Sequence, residues 1–410
     1  MRTREFATPT CIELFAGAGG MMLGLEMAGF KTLVANEVHP HPCLTLKRNF
    51  PNVPVVNASI RDLTGADLLR AAGLDPRRQP EIDLIAGGPP CQGYSTAGMK
   101  DVDDPRNTLI GDFIRIVREL RPRYFILENV TGLQSLHNGR LFENVLEELA
   151  ASGYSFRPKT VFAADYGVPQ MRRRLIVIGA RQGAVPDHPA ATYGNKDGGL
   201  FERGLTPYTT CGDALGDLPA IDSGEEGFTY TARPSTNYQR RMRDGAKTIF
   251  NHEASRHRQA TMDYYGLVPA GGTCLDIPKA LRNGKQGIQR WPLNGLARTI
   301  TTEPTDFLHP TLNRIPTVRE LARIQSFPDR YEFMGQRTTG NKMRRLGYCS
   351  QTQQVGNAVP PMMAEAIGAA VMRFCLSSNS QLSSAAERKR RRGPVQDAAL
   401  SWLRPLPGTP

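Results

Sequence analysis

The 410-residue sequence contains no run of about 18 consecutive apolar residues, so it gives no sign of a membrane-crossing helix. Its opening, MRTREFATPTCIELF, lacks the apolar core of a signal peptide, and no leader is expected. Paired cysteines are absent too. The seven cysteines (11, 43, 91, 211, 274, 349 and 375) are odd in number, widely scattered and never spaced CxxC. That excludes a disulfide framework and gives no metal site, and it fits a reducing cytoplasm. Internal repeats are missing. Acidic residues are in short supply: 39 Asp and Glu face 51 Lys and Arg, for a net charge of +12. Such an excess suits a polyanionic partner, since each cation that neutralises a phosphate releases counterions. It also suits a basic surface tuned only for solubility. The apolar share of 40% and charged share of 22% are those of an ordinary globular chain. The length allows one large core with an insertion, or two domains.

Over residues 1–180, short apolar runs (CIELFA, KTLVAN, DLIAGG, YFILEN, RLIVIGA) alternate with helical patterns. The runs read as buried parallel strands. In TLIGDFIRIVREL, apolar residues recur at helical spacing from Leu109 to Leu120. Repeated β-α alternation predicts a doubly wound α/β sheet. From about residue 181 the periodicity fades and Gly, Pro and Thr become frequent. Cations cluster there at Arg233, Arg240, Arg241, Arg243, Lys247, Arg256 and Arg258, with His252 and His257 among them. Regular structure resumes at TVRELARIQSF, with Thr317 as N-cap, and a last helix is expected over PPMMAEAIGAAVMRFCL with Pro361 in its first turn. From Ser377 the Ser-rich, ERKRRR-bearing end reads as a disordered basic tail.

Four segments can carry chemistry. LFAGAGGMMLGLEMAGF is a strand, a Gly-rich turn and a helix, and Glu37 ends the next strand about 20 residues after the first glycine. An acid so placed can accept hydrogen bonds from ribose hydroxyls, although such turns also serve NAD, FAD and plain packing. IAGGPPCQGYS holds Cys91 in a Gly-Pro turn at a strand's carboxyl edge, where ligands of open α/β sheets sit. RYFILENV brings Glu128 and Asn129 to the same edge. In QMRRRLIVIG, Gln170, Arg172 and Arg174 alternate along one strand face, able to bind a carboxylate or carbonyl oxygen or simply to be solvated.

In order and spacing, GGPPCQGYS, LENV, QMRRR and QVGNAVPP resemble the motifs of the bacterial DNA cytosine-5 methyltransferases, over about residues 10–180 and 298–376. The resemblance implies a Rossmann-like methyltransferase sheet with a smaller, irregular target-recognition domain. The catalytic, cofactor-binding domain would be 1–180, the recognition domain 181–315, a return segment 316–376 and a tail 377–410. It implies an enzyme that moves a methyl group from S-adenosyl-L-methionine to carbon 5 of a flipped-out cytosine in a specific DNA sequence. By similarity Cys91 adds to carbon 6 of the ring, making carbon 5 electron-rich. Glu128 would hold or protonate ring N3 and bind the exocyclic amine, Arg174 would contact the carbonyl at position 2, and Arg172 would lie near nucleophile and ring.

For the cofactor, Phe15, Ala16, Gly17, Gly19 and Gly20 resemble the methionine side of the pocket, and Glu37 and Val38 the ribose and adenine side. Asn357 and Ala358 resemble the segment that closes it. In NASIRDL, Ser59 precedes Ile60 where the family has an Asp against the adenine amine, implying weaker binding or compensation by Asp62. Arg319 matches a supporting position, and the basic cluster at 231–258 would contact DNA. The implied partners are double-stranded DNA and a cognate restriction endonuclease acting separately, with no membrane, the chain being a monomer in the bacterial cytoplasm and nucleoid-associated.

Three other readings make contrasting demands. Methylation of tRNA by the same chemistry goes with a Cys-Phe-Thr signature that is not found. An amine-directed DNA methyltransferase needs Asp/Asn-Pro-Pro-Tyr/Phe, where this chain has Pro-Pro-Cys. A non-catalytic DNA-binding relative predicts erosion at the nucleophile, acid or arginines, and all are present.

Overall fold

A computed structural model of the chain describes residues 8–90, 109–135, 139–195, 204–282, 287–303, 306–338 and 348–391, with side chains described to residue 377. Cys91 and the loop after it lie outside the described residues. The core is a seven-stranded sheet. Its strands are β1 (Thr10–Leu14), β2 (Lys31–Asn36), β3 (Val55–Val56), β4 (Leu84–Gly87), β5 (Tyr124–Asn129), β6 (Ser155–Phe162) and β7 (Arg173–Ala180), in the order β3-β2-β1-β4-β5-β7-β6.

Side chains alternate across each strand, so one apolar run feeds two cores. Ile12 and Leu14 of β1, Phe125 and Leu127 of β5, and Leu175 and Val177 of β7 pack on one face. Cys11, Tyr124, Ile126, Ile176 and Ile178 pack on the other. The first face is covered by α4 (Leu109–Leu120), whose Ile110, Phe113, Ile116, Val117 and Leu120 are buried at the expected spacing. The second is covered by α1 (Gly20–Met27) and α11 (Pro361–Arg391). These two helices touch closely: a Cβ on Gly24 would lie 2.4 Å from Pro361 O, and one on Gly368 2.9 Å from the Ala28 Cβ. The helical stretch Gln351–Ser377 is long and apolar enough to cross a membrane, but 67% of its most apolar window is buried within the protein, as in a core helix.

Two expectations change. The RLIVIGA strand is not parallel: β7 runs antiparallel to both β5 and β6. Only residues 163–172 join β6 to β7, too few for a parallel crossover with its helix. Strand β6 itself escaped the pattern because it is an edge strand, with most of SFRPKTVF exposed or half-buried. Second, the last helix does not stop at Ser377 but continues to Arg391. No glycine or proline interrupts SSNSQLSSAAERKRR, so nothing in the chain breaks the helix there.

Beyond residue 180 come α6 (Cys211–Leu215), α7 (Asn237–Arg243) and α8 (Gln259–Gly266), then α9 (Val318–Ile324) and α10 (Gln351–Asn357); α2 (Pro40–Asn49), α3 (Gly65–Ala71) and α5 (Arg140–Ala151) belong to the sheet half. A small separate core gathers Tyr264, Tyr265, Val268, Cys274, Ile288 and Leu308. Trp291 is buried against Phe307, a packing residue as its neighbours suggest. Thr317 caps α9 by accepting from Glu320 N, with the reciprocal bond completing a capping box. All seven residues of α9 are buried. Arg319 donates to Phe250 O, Pro328 O and Tyr331 O, which makes it a strut. Arg323 forks onto Asp329 with two 2.6 Å bonds and reaches Asp217 at 2.9 Å. Buried cations so paired are expensive to break, because the partner is left charged in the interior.

Candidate active site

The turn after β1 is held in an unusual backbone path. Phe15, Gly17 and Gly19 all have positive φ (54°, 53° and 77°). For Phe15 this is strain, of the kind that persists where surrounding structure enforces it. Ala16 N donates to Asn36 O, tying the turn to the end of β2. Just beyond that end, Glu37 is 6% exposed, and its carboxylate accepts from Gly17 N and His39 N at 2.8 Å each. Each oxygen keeps a lone-pair direction for a further donor. An ideal Cβ on Gly17 would meet nothing within 4 Å, so the turn faces open space. Beside Glu37, Val38 presents an uncovered apolar side chain, 51% exposed. Asn57 Nδ2 donates to both Glu37 O and Val38 O, a support that sequence reading missed.

The closing segment does meet this turn. A Cβ on Gly20 would lie 2.2 Å from Val359 O and 3.2 Å from the Ala358 Cβ. Glycine is required there for the chain's 358–359 backbone to lie on the start of α1. Ala358 is buried and Asn357 exposed. Ile60 is buried at 2%, and Ser59 caps its turn by accepting from Arg61 N at 3.4 Å. An acid, an open Gly-rich turn and a bare apolar side chain together fit a ligand with ribose hydroxyls and a flat apolar part.

A second cluster lies at the ends of β4 and β5. Glu128 Oε2 would sit 2.7 Å from a Cβ on Gly88, so the Gly-Gly-Pro-Pro turn admits the carboxylate only because residue 88 is glycine. Asn129 Nδ2 donates to Pro89 O at 3.2 Å, fixing that turn against β5. These contacts bring the acid to the residues that directly precede Cys91. Arg174 reaches across from β7, its Nε 2.9 Å from Glu128 Oε1, with both side chains less than 15% exposed. Burial lowers the Arg174 guanidinium's pKa, and Glu128 opposes that. The carboxylate is therefore both charge partner and aiming device for the arginine.

Gln170, Arg172 and Arg174 do not line one strand face as expected: Gln170–Met171 pairs with Ala297–Arg298 as a short strand of its own, and Arg172 lies buried beside the Glu128–Arg174 pair. Arg172 is 1% exposed, and its guanidinium donates to Ile300 O and Gly356 O at 3.2 Å each. Burial, then repulsion from Arg174, pushes its pKa well down, with Glu128 opposing. The basic cluster also divides. Arg233, Arg240, Lys247, Arg256 and Arg258 are exposed. Arg243 instead stacks 3.6 Å over the Tyr230 ring and pairs with Asp217, and Arg241 pairs with Glu365. His252 is 2% exposed, its ring held between Thr317 Oγ1 and Pro219 O, which removes it from any surface contact.

The C-5 cytosine-specific DNA methylase family model matches residues 9–373. The chain belongs to this family. Its reaction is methyl transfer to carbon 5 of cytosine in DNA. The Type II methyltransferase M1.HphI of Haemophilus parahaemolyticus is 35% identical, with 89% of this chain and 87% of that protein covered. M.DdeI of Desulfomicrobium norvegicum is 36% identical, with 87% and 86% covered. Among solved structures, a protein described as a prophage-encoded DNA modification methyltransferase of E. coli superposes with a TM-score of 0.70 at 26% identity, covering 89% of this chain and 99% of that one. DNMT2 of Spodoptera frugiperda, at 16% identity and a TM-score of 0.52 over 88% of this chain and 99% of its own, shares the fold.

Proposed function

We propose that the chain is a DNA (cytosine-5-)-methyltransferase of a bacterial restriction-modification system, using S-adenosyl-L-methionine on a specific duplex sequence. The observation that carries this reading is the Glu128–Arg174 pair lying against the turn that leads to Cys91. Phe15, Ala16, Gly17, Gly19, Gly20, Glu37, Val38, Ser59, Ile60, Asn357 and Ala358 would hold the cofactor. When bound there, S-adenosylmethionine supplies a methyl group on a sulfonium that departs as a neutral thioether. The Cys91 thiolate adds to carbon 6 of a flipped-out cytosine, forming a C–S bond and leaving carbon 5 nucleophilic. Glu128, carrying a proton, donates to N3 as negative charge moves into the ring and accepts from the exocyclic amine, while Arg174 meets the carbonyl oxygen at position 2 and Arg172 lies close to nucleophile and ring. Loss of the proton from carbon 5 then returns the electron pair that expels the thiolate.

The recognition function belongs to residues 181–315, whose separate small core and exposed cations support it. Residues 316–376 complete the catalytic half through α9 and α11. A cytoplasmic monomer, acting apart from its cognate endonuclease, fits this chemistry.

The test is incubation with methyl-labelled cofactor and either mixed-sequence duplex DNA or tRNA. Label recovered as 5-methylcytosine in the DNA supports the proposal. No label in DNA, with the fold intact by circular dichroism, contradicts it. Label only in tRNA would move the same chemistry to another substrate.

A further inference from the structure

A line of buried side-chain amides connects the residues just before β7 to the cofactor segment, and its direction is fixed by its ends. Gln325, directly after α9, is fully buried, as is Gln170. One side of the Gln325 amide faces two backbone carbonyls, Val355 O at 3.1 Å and Ala358 O at 2.6 Å. Carbonyls only accept, so the amide nitrogen must face them and the amide oxygen must face Gln170. Gln170 Nε2 donates to that oxygen at 2.5 Å. Its own oxygen is thereby left for Ile300 N, which donates to it at 3.0 Å. The bonds through both amides run one way, from Ile300 to the 355–358 turn, with one side branch from Gln170 Nε2 to Ile324 O at 3.3 Å.

Arg172 spans the same gap beside it, donating to Ile300 O and to Gly356 O. Ile300 is thus gripped at both its N–H and its C=O, through the peptide units on either side of it. The space is tight as well: a Cβ on Gly356 would lie 2.3 Å from Thr301 O. Buried networks of this kind rigidify what they join, since each lost link strands a polar group in the interior; here only Arg172 Nε, among the network's side-chain nitrogens and oxygens, has no partner.

We infer that Gln325 is a positioning residue for methyl transfer: through Gln170 it sets the spacing between the cofactor segment at 355–358 and the residues that lead directly into β7 and Arg174. It touches neither ligand. Its effect reaches the reaction because methyl donor and carbon 5 must approach in line, and a shift of about 1 Å costs up to roughly 100-fold in rate. The assignment rests on the cofactor reading proposed above.

Hydrogen exchange on the intact chain, with and without S-adenosylhomocysteine, tests both in one experiment. Protection at 15–20 and 355–358 reports the cofactor site, and added protection at 297–302 reports the relay. Protection of the first two without the third overturns the relay and leaves the cofactor site standing. No protection at any of them overturns the cofactor reading, and the relay with it. Gln325→Met, close in size but without hydrogen bonds, supplies the kinetic arm. Turnover should fall roughly 10- to 100-fold while the Kd for S-adenosylhomocysteine and the KM for DNA move less than about threefold. Gln170→Met should behave alike, and the double variant should lose little more than either single one. Additive losses, or equal losses in binding and turnover, would show that these glutamines only pack.

Discussion

Arg174 Nε lies 2.9 Å from Glu128 Oε1 across the antiparallel join of β5 and β7. That join is what places the two side chains together: Glu128 pairs in register with Ile176, two residues from Arg174. A parallel strand in the same position would enter from the opposite end of the sheet and carry its leading arginines away from the acid.

The pair can be broken without changing its shape. Glu128→Gln keeps the side chain's volume but removes the charge that aims Arg174 and the acid proton offered to ring N3. Turnover on DNA should fall by roughly 10²- to 10⁴-fold. Binding of S-adenosylhomocysteine, measured by calorimetry, should hold, because Glu37 and the Gly-rich turn are untouched.

Glu37 should behave in the opposite way. Glu37→Gln turns one acceptor toward the backbone N–H groups of Gly17 and His39 into a donor, and it weakens the partner offered to ribose hydroxyls. A charge-assisted hydrogen bond is worth roughly 1.5–3 kcal/mol, so cofactor Kd should rise about ten- to a hundredfold. Saturating cofactor should restore most of the turnover. A loss of turnover that saturation does not repair would place Glu37 in the chemical step.

Much of this was legible in the sequence, and the reason is local. YFILEN forms β5 from Tyr124 to Asn129, because an apolar run buried on both faces has few alternatives, and its polar last two residues fall at the sheet's edge. Thr317 and Glu320 announce the start of α9 in four residues. What stayed hidden depends on contacts between distant segments. Arg172 and Arg174 look equivalent in QMRRR, yet one is buried against Ile300 and Gly356 and the other faces Glu128. His252 reads as part of a basic surface until α9 and Pro219 close over it. Gln325 carries no charge and no motif signal of its own, and its partners lie 155 residues before it and about 30 after it.

Stability should fall on mild acidification. His309 is largely but not fully covered, its side chain 13% exposed, and its Nδ1 accepts from Thr311 N and Leu312 N, so the neutral ring is the one that fits. Burial pushes its pKa down to about 4 from an ordinary 6.5, with Glu320 opposing and the Arg314 and Arg290 charges adding to the shift. Below pH 6.5 the unfolded chain takes up a proton that the folded chain refuses. The stabilisation is therefore fully present above about 6.5 and is lost as pH falls toward 4, on the order of 3 kcal/mol in all. Buried His252, also depressed by desolvation, acts in the same direction. Melting temperature followed from pH 7 to 4.5 should drop, and His309→Gln should flatten part of that slope. A slope unchanged by the substitution would remove His309 as a cause.

The most direct measurement concerns the covalent step. In a duplex with 5-fluorocytosine at the target position, carbon 5 carries fluorine where a departing proton is needed, so the thiolate cannot be expelled after methyl transfer. With S-adenosylmethionine present, the protein should become covalently joined to that DNA and run as a slower band on a denaturing gel. Cys91→Ser should form no such band while still binding S-adenosylhomocysteine. A covalent band that persists in Cys91→Ser would contradict the account, because the nucleophile would then be another residue.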